Sequence, residues 1–538
     1  MDVRRLSSIR RLAADYAFDF SAVAPFFSGN PADPAAWTGA IGRAQKHLRR
    51  RHDVAALIAA QQERRGAPPR AREAARQLAD PKTAAIVTGQ QAGLFGGPLF
   101  TLLKALTALK LAGRTSREHG IPVVAVFWIE AEDHDWEEVR SCSVFDDALT
   151  ARSVSLPPRD GPDLLPVAST CLGPASVDVL SEIEQLLPPT EFHTALMADL
   201  RRAYAPGASM AHAFGRWLES VLGDRGLVVY DASDPAAKSI ASPVFVRELS
   251  SPGETAKLAA AAGAELQARG YRAQAQPQED TSSLFYLDDL DRSRRTIRHR
   301  DGQFIVGDDV WPTSAFVEMA AARPGSFSPN VLLRPIVQDT LFPTICYVAG
   351  PNELAYLAQL RGVYERFGLT MPLMYPRASA TIVDAGAFRF LQKYALPLEA
   401  LQANDESALN QLLQTQIPAA VEESFAGATE AIDAQMAHLM DALPALDPTL
   451  EGAARSTLSR MQHDLSTLHN KMIQAAKRRD ETLRRQFTRT RALVFPGGHP
   501  QERAIGFLSF LNQYGPALLD RLDQELPLDP EHHWVVAI

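Results

Sequence analysis

Between residues 83 and 130 the chain passes through apolar runs and polar interruptions in the order that builds a βαβ unit. A short apolar run at 83–88 predicts a strand. It ends in a polar, glycine-rich loop, Thr88-Gly89-Gln90-Gln91-Ala92-Gly93-Leu94-Phe95-Gly96-Gly97-Pro98. Leu99, Leu102, Leu103, Leu106 and Leu109 then recur at helical spacing. Pro98 suits the first helical position, where its missing N–H is not needed. The run 122–129 (PVVAVFWI) reads as a strand buried on both faces. Strand, loop, helix and strand together predict a parallel sheet.

Two later runs, 226–231 and 344–349, repeat the strand signature. They end in the polar turns Asp231-Ala232-Ser233-Asp234 and Gly350-Pro351-Asn352-Glu353, the latter ahead of a helical stretch at 353–366. A further short strand is expected at 372–375. The material between reads as insertions: helical over 175–222, with an Asp301-Gly302 hairpin signal within 296–306. Residues 1–80 read as helical. From 386 to 495 strand signals stop. Val421, Phe425, Thr429, Ile432, Met436, Leu439 and Leu443 alternate three- and four-residue steps; after Pro444 and Pro448, Leu458, Met461, Leu465, Leu468, Met472 and Ala475 repeat the rhythm. That pattern predicts an antiparallel coiled-coil hairpin whose narrow seam points to a partner copy.

These boundaries predict an N-terminal helical segment (1–82), a discontinuous α/β core (83–385) with insertions at about 151–225 and 241–325, the hairpin (386–495) and a segment returning to the core (496–538). Length alone, 538 residues, points to about three domains; the pattern instead distributes it as insertions into one core.

Composition changes the picture only by exclusion. Hydrophobic residues make up 46% and charged residues 22%, enough apolar material for a large core. A net charge of −8 argues against a protein built to neutralise nucleic-acid phosphates. Cys142, Cys171 and Cys346 are far apart with no CxxC, which fits a reducing cytoplasm. Asp15 and Asp19 interrupt any signal-peptide core. The uncharged run 83–103 is long enough to span a bilayer, but its four glycines, two glutamines and Pro98 argue against a lipid-exposed helix. Basic residues at 1–80, including His47-Leu48-Arg49-Arg50-Arg51, are expected on a solvated face or docking on an acidic surface.

Ligands of open α/β sheets sit at the carboxyl ends of the strands, and the polar clusters fall there. In the 88–98 loop, Thr88, Gly89, Gln90, Gln91, Gly93 and Gly97 are candidate substrate-binding residues, the following helix N-terminus being suited to a phosphate or carboxylate. The spacing is neither GxGxxG nor GxxxxGK, and a turn serving only tight strand–helix packing is the alternative. Trp128, near the end of the next strand, is a further candidate substrate-binding residue, and after it Glu130, Glu132, Asp133, Asp135, Glu137 and Glu138 surround His134. So many carboxylates must be solvated, protonated or paired with a cation. His134, oriented by Asp133 or Asp135, is a candidate general base, and Glu132 or Asp135 a candidate ammonium site; a divalent cation or a helix-capping surface are the alternatives. Arg334, Gln338, Asn352, Glu353, Tyr375 and Arg377 are candidates to complete the crevice, with Arg334 or Arg377 as anion anchor.

TGQQAGLFGGP, FWIEAEDHDWEE, RPIVQDTLFPTICYVAGPNELAY and FPGGHPQER…FLNQYGP, in this order over about 83–515, resemble the bacillithiol-biosynthesis cysteine-adding family, BshC. One departure is Gly96, where the family is expected to carry a hydroxyl residue. The resemblance implies a Rossmann-like core, a coiled coil that dimerises, and the joining of cysteine to glucosaminyl-malate in the last step of bacillithiol synthesis. It also implies a nucleotide site near the coiled-coil junction, placed at Lys471, Arg478, Gln501, Glu502 and Arg503, taking ATP or ADP with Mg; no HIGH or KMSKS motif is present. A nucleotide-dependent transferase with another amino acid or sugar substrate, and a non-catalytic coiled-coil scaffold, are the other readings.

Overall fold

The computed structural model describes residues 1–46, 49–159, 164–403, 405–415, 419–447, 449–479 and 481–538, the side chains of 476–479 excepted. The chain divides into two units, Met1–Ile382 with Pro500–Val536, and Val383–His499.

The first unit is built on five parallel strands: β1 (Ala84–Gln91), β2 (Val123–Glu130), β3 (Val228–Asp231), β4 (Thr344–Ala349) and β5 (Leu373–Pro376). Their order across the sheet is β3-β2-β1-β4-β5. This is the doubly wound order, with β1 central and the chain reversing direction across the sheet between β1 and β4. The long apolar runs are explained by burial on both faces: residues 84–88, 124–129 and 344–349 are all buried.

β1 is longer than expected. Gly89, Gln90 and Gln91 continue the strand, paired with Trp128, Ile129 and Glu130 of β2. Polar residues misled the reading because the ladder is satisfied through the backbone, whatever the side chains. Helix α1 (Leu99–His119) returns antiparallel to β1, its end capped by Gly120 in the left-handed region. Pro98 is its N-cap, one position earlier than expected.

Between β2 and β3 lie a hairpin (Ser141–Phe145 with Ala151–Ser155) and three helices, Ala175–Leu186, His193–Ala203 and Met210–Leu222. Between β3 and β4 lies a five-stranded antiparallel sheet whose Arg294–Arg300 and Gln303–Val306 pair across Asp301 and Gly302, both with positive φ (49° and 75°) as a tight hairpin turn requires. The stretch expected as one helix at 353–366 is two, Glu353–Leu357 and Arg361–Arg366.

The N-terminal segment is helical, but its basic residues do not all face water. His47 and Leu48 lie outside the described residues. Arg51 is buried and donates to the carbonyls of Asp80 and Thr83 at the entry to β1 (both 3.0 Å). Arg65 pairs bidentately with Glu219, both side chains 2% exposed.

The C-terminal strand His533–Ala537 pairs with Ser379–Val383. Buried His533 places Nδ1 2.7 Å from Ser379 Oγ and Nε2 2.8 Å from Thr381 Oγ1. Burial lowers its pKa from 6.5 to about 4, against the attraction of the Glu502 carboxylate and with further lowering by the N-terminal ammonium and Arg377. The unfolded chain therefore binds the extra proton first. The stability held by the neutral ring is complete above pH 6.5 and is lost as pH falls toward 4, by about 3 kcal/mol. Urea unfolding at pH 7 and pH 4.5 is expected to show this loss, and His533→Asn a smaller one.

The second unit carries the hairpin: α2 (Ala419–Ala442), a 3₁₀ tip (Leu443–Ala445) and α3 (Leu450–Arg479). The arms meet antiparallel, with Gln462 Nε2 donating to Asp433 Oδ1 (3.0 Å) and the Phe425 and His469 rings stacked at 4.7 Å. Met436, Ala454 and Ile473 are buried, whereas Val421, Leu439, Met461 and Leu468, expected in the seam, are 41–51% exposed. A two-helix contact covers one line of each helix, and a straight α-helix drifts by about 20° per heptad, carrying part of the stripe outward. Pro448 lies outside the described residues. Among the described residues no helix is long and apolar enough to cross a membrane.

Candidate functional site

The ends of β1, β2 and β4 open into a crevice of about 500 Å³, where the strand order reverses. Its floor is Gly89, Gln90, Gln91, Trp128 and Glu130; Asp133, His134 and Glu138 form one wall; Arg334, Tyr347, Asn352, Glu353 and Tyr356 form another. Phe100, Lys104, Arg377 and Arg503 close the third side, and Arg294 enters from the antiparallel sheet.

Gly89 is needed for close approach: a Cβ there would lie 3.0 Å from the Trp128 carbonyl oxygen and 3.3 Å from its Cβ. Gln91 donates to Asp133 Oδ2 (3.1 Å) and Glu138 Oε2 (2.9 Å), so the two polar segments of the sequence meet. Asp133 Oδ1 accepts from the His134 backbone N–H (2.7 Å) and from Arg294 Nη1 (3.3 Å). The His134 Nδ1 lies 3.3 Å from the same oxygen but makes no hydrogen bond. The ring is 37% exposed, with this Nδ1 buried against the fixed carboxylate.

Charges on the wall are paired almost throughout. Lys104 Nζ reaches Glu353 Oε2 (2.5 Å), the Gly89 carbonyl (2.8 Å) and Gln90 Oε1 (3.0 Å). Burial lowers the Lys104 pKa; burial alone would raise that of Glu353, but Lys104 and the Gly350 N–H hold it low. Glu130 is raised, chiefly by burial, with Arg334 3.7 Å away opposing. Arg334 also bonds Gln338 Oε1 (3.2 Å) and the Tyr356 hydroxyl (3.0 Å). Arg377 is held by Glu502 (3.0 and 2.6 Å), whose carboxylate also accepts from Ser379 Oγ and the Ala380 N–H (both 3.1 Å). Burial would raise the Glu502 pKa, yet Arg377 brings it down to about 2.

Several expected site residues have other roles. Thr88 is buried and donates to the Val348 carbonyl (2.9 Å), joining β1 to β4. Gln338 is buried behind Arg334, and Tyr375 lies buried in β5 away from the crevice lining. Glu132 is buried in an ion pair with Lys238, so its charge is answered by the protein's own ammonium. Asp135 caps the turn Trp136–Val139, accepting from the Glu138 N–H. Gln501 is buried and exchanges two 2.8 Å hydrogen bonds with the Ile382 backbone. Lys471 is exposed in the hairpin unit, and the Arg478 side chain lies outside the described residues.

The helix N-terminus after β1 is not an open anion site either. The Leu99 N–H donates to the Ile505 carbonyl (2.8 Å), Pro98 bridges to Gly506, and Gly93 and Gly97 do not line the crevice. A polyphosphate cradle of backbone N–H groups is therefore not formed at this turn. Gly96, where a hydroxyl residue was expected, has φ 95°, and a Cβ would lie 2.3 Å from Phe507 Cζ, so packing against the C-terminal segment favours glycine.

Lys104, Phe100, Arg294, Tyr347 and Tyr356 were not anticipated. Lys104 had a signal, a cation set among the leucines of the first turns of α1. Arg294 had none, since its contact with Asp133 spans 161 residues.

Residues 1–378 match the family model described as "Bacillithiol biosynthesis BshC, N-terminal Rossmann-like domain", and residues 380–538 match "Bacillithiol biosynthesis BshC, C-terminal coiled-coil domain". A relative from Salinibacter ruber, named "Putative cysteine ligase BshC", is 35% identical over 535 residues, covering 99% of this chain and 97% of the relative. Relatives of the same name from Symbiobacterium thermophilum (35% identical, 88% of each chain) and Koribacter versatilis (32%, covering 97% and 96%) are similar throughout. With both architectural halves matched and the polar segments of β1 and β2 brought together in one crevice, the chain belongs to the bacillithiol biosynthesis BshC family.

Proposed function

We propose that the protein is a cytoplasmic cysteine ligase that forms an amide between the cysteine carboxyl and the amine of glucosaminyl-malate, completing bacillithiol. The observation that carries this reading is the part-exposed His134 imidazole, its Nδ1 set 3.3 Å from the Asp133 carboxylate in the switch-point crevice, in a chain whose relatives are named putative cysteine ligases. An attacking amine must lose a proton as the C–N bond forms, and a neutral imidazole is suited to accept it near neutral pH. Asp133, itself fixed by Gln91 and Arg294, stabilises the imidazolium that results. The ammonium of cysteine would find its counter-charge at the acidic wall, Glu130, Asp133 and Glu138. Amide formation in water requires an activated carboxyl, for which ATP with Mg would be the source: as the C–N bond forms, the C–O bond to the activating phosphoryl or adenylyl group breaks and phosphate or AMP leaves. The turn after β1 does not fit a polyphosphate, so no step is assigned to it there.

The exposed apolar side chains of Val421, Leu439, Met461 and Leu468 support a homodimer through the hairpin. Metabolite profiling tests the function in the cell: a deletion strain is expected to lose bacillithiol and accumulate glucosaminyl-malate. Unchanged bacillithiol in that strain would sink the reading.

A further inference from the structure

Five cations line the crevice: Lys104, Arg294, Arg334, Arg377 and Arg503. Four face a carboxylate, Glu353, Asp133, Glu130 and Glu502 respectively, at 2.5–3.7 Å. Among these five cations Arg503 alone has neither an ion pair nor a side-chain hydrogen bond among the described residues. Its guanidinium stands 5.9 Å from the centre of the Phe100 ring, which Arg377 and Lys104 also approach, at 5.4 and 6.0 Å. Burial, then the repulsion of neighbouring Arg377, lower its pKa, against a weaker attraction from the Glu502 and Glu353 carboxylates, which are themselves committed to Arg377 and Lys104. A half-buried cation beside another cation is costly unless an anion completes it. Across the crevice, the Asn352 Oδ1 is also buried without a hydrogen-bond partner.

We propose that Arg503 is the anchor for a carboxylate of the acid substrate, so that the C-terminal segment, and not the glycine-rich turn, supplies the crevice's anion site. The inference rests on the proposed ligase reading and deepens it. A guanidinium fork matches a carboxylate with two parallel hydrogen bonds. A polyphosphate would need several donors, and the nearest candidates are spent: the Leu99 N–H on Ile505, Lys104 on Glu353, and Arg377 on Glu502. The one free fork fits a single negative charge. Arg503 and His134 line the same crevice, so an acid substrate anchored at the one would share it with the other.

Calorimetry on the full-length protein tests this, with glucosaminyl-malate, L-malate and ADP as separate probes. In Arg503→Gln, glucosaminyl-malate and L-malate are expected to bind about 10- to 100-fold more weakly, the loss of one charge-assisted pair. ADP affinity is expected to stay unchanged, and Arg503→Lys to recover part of the loss. In turnover, the KM for glucosaminyl-malate rises while that for cysteine does not. Undiminished malate binding in Arg503→Gln, or a loss confined to ADP, would overturn the assignment. If Arg503→Gln does not fold, Arg503→Lys is held to the same criterion: weakened malate binding supports the anchor, wild-type binding overturns it. If the wild-type protein ignores glucosaminyl-malate, the ligase reading fails, and L-malate alone then decides the anchor.

Discussion

Replacing His134 by alanine lowers turnover by about 10²–10⁴-fold, the usual worth of a positioned general base. The KM values for cysteine and glucosaminyl-malate are expected to change little, because the role proposed for the imidazole is in forming the C–N bond and not in holding either substrate. His134→Ala leaves no cavity in the core, since the ring is 37% exposed and makes no hydrogen bond through Nδ1. Its thermal midpoint should therefore stay at the wild-type value, which separates a chemical loss from a folding one. Asp133→Asn tests the orienting carboxylate. It keeps the size of the side chain, but removes the charge that pairs with Arg294 and would stabilise the imidazolium. A smaller fall in turnover is expected. Wild-type turnover in His134→Ala would remove the histidine from the chemistry.

Replacing Glu502 by alanine destabilises the protein by about 3–5 kcal/mol, because it strands a buried guanidinium. Arg377 and Glu502 have side chains only 2% and 6% exposed, and the carboxylate accepts four hydrogen bonds. Ser379 Oγ and the Ala380 N–H lose their partner together with Arg377. The pair is a geometric device more than a net source of stability: replacing both residues, as in Arg377→Met with Glu502→Leu, is expected to recover much of the loss. The double variant still loses activity, because Arg377 lines the crevice. Urea unfolding of the single and double variants measures the first effect and turnover the second. A loss below 1 kcal/mol in Glu502→Ala would show that water reaches Arg377.

The parallel sheet was legible because buried strands carry uninterrupted apolar runs, and the Asp301-Gly302 turn because few residues accept positive φ there. The limits of β1 were not: Gly89, Gln90 and Gln91 pair through their backbones, to which side-chain polarity is blind. The meeting of Gln91 with Asp133 was foreshadowed only by both segments ending adjacent strands. Glu132 and Asp135 looked equivalent to Asp133 in the sequence. Side chains alternate along a chain leaving a strand, and a one-residue step decides whether a carboxylate faces the crevice, the Lys238 ammonium or a helix end. Arg503 was legible only as part of a nucleotide site at the coiled-coil junction, not as a neighbour of Arg377 in the crevice. It lies 126 residues beyond Arg377, beyond the hairpin, and only the return of the chain to the first unit brings them together.

Mass spectrometry of the purified protein incubated with cysteine and glucosaminyl-malate, with and without ATP and Mg, shows whether this crevice joins them. Bacillithiol is expected in the ATP-containing reaction with the wild-type protein and is expected to be nearly absent with His134→Ala. No bacillithiol from the wild-type protein under either condition, with both substrates recovered intact, would contradict the ligase reading.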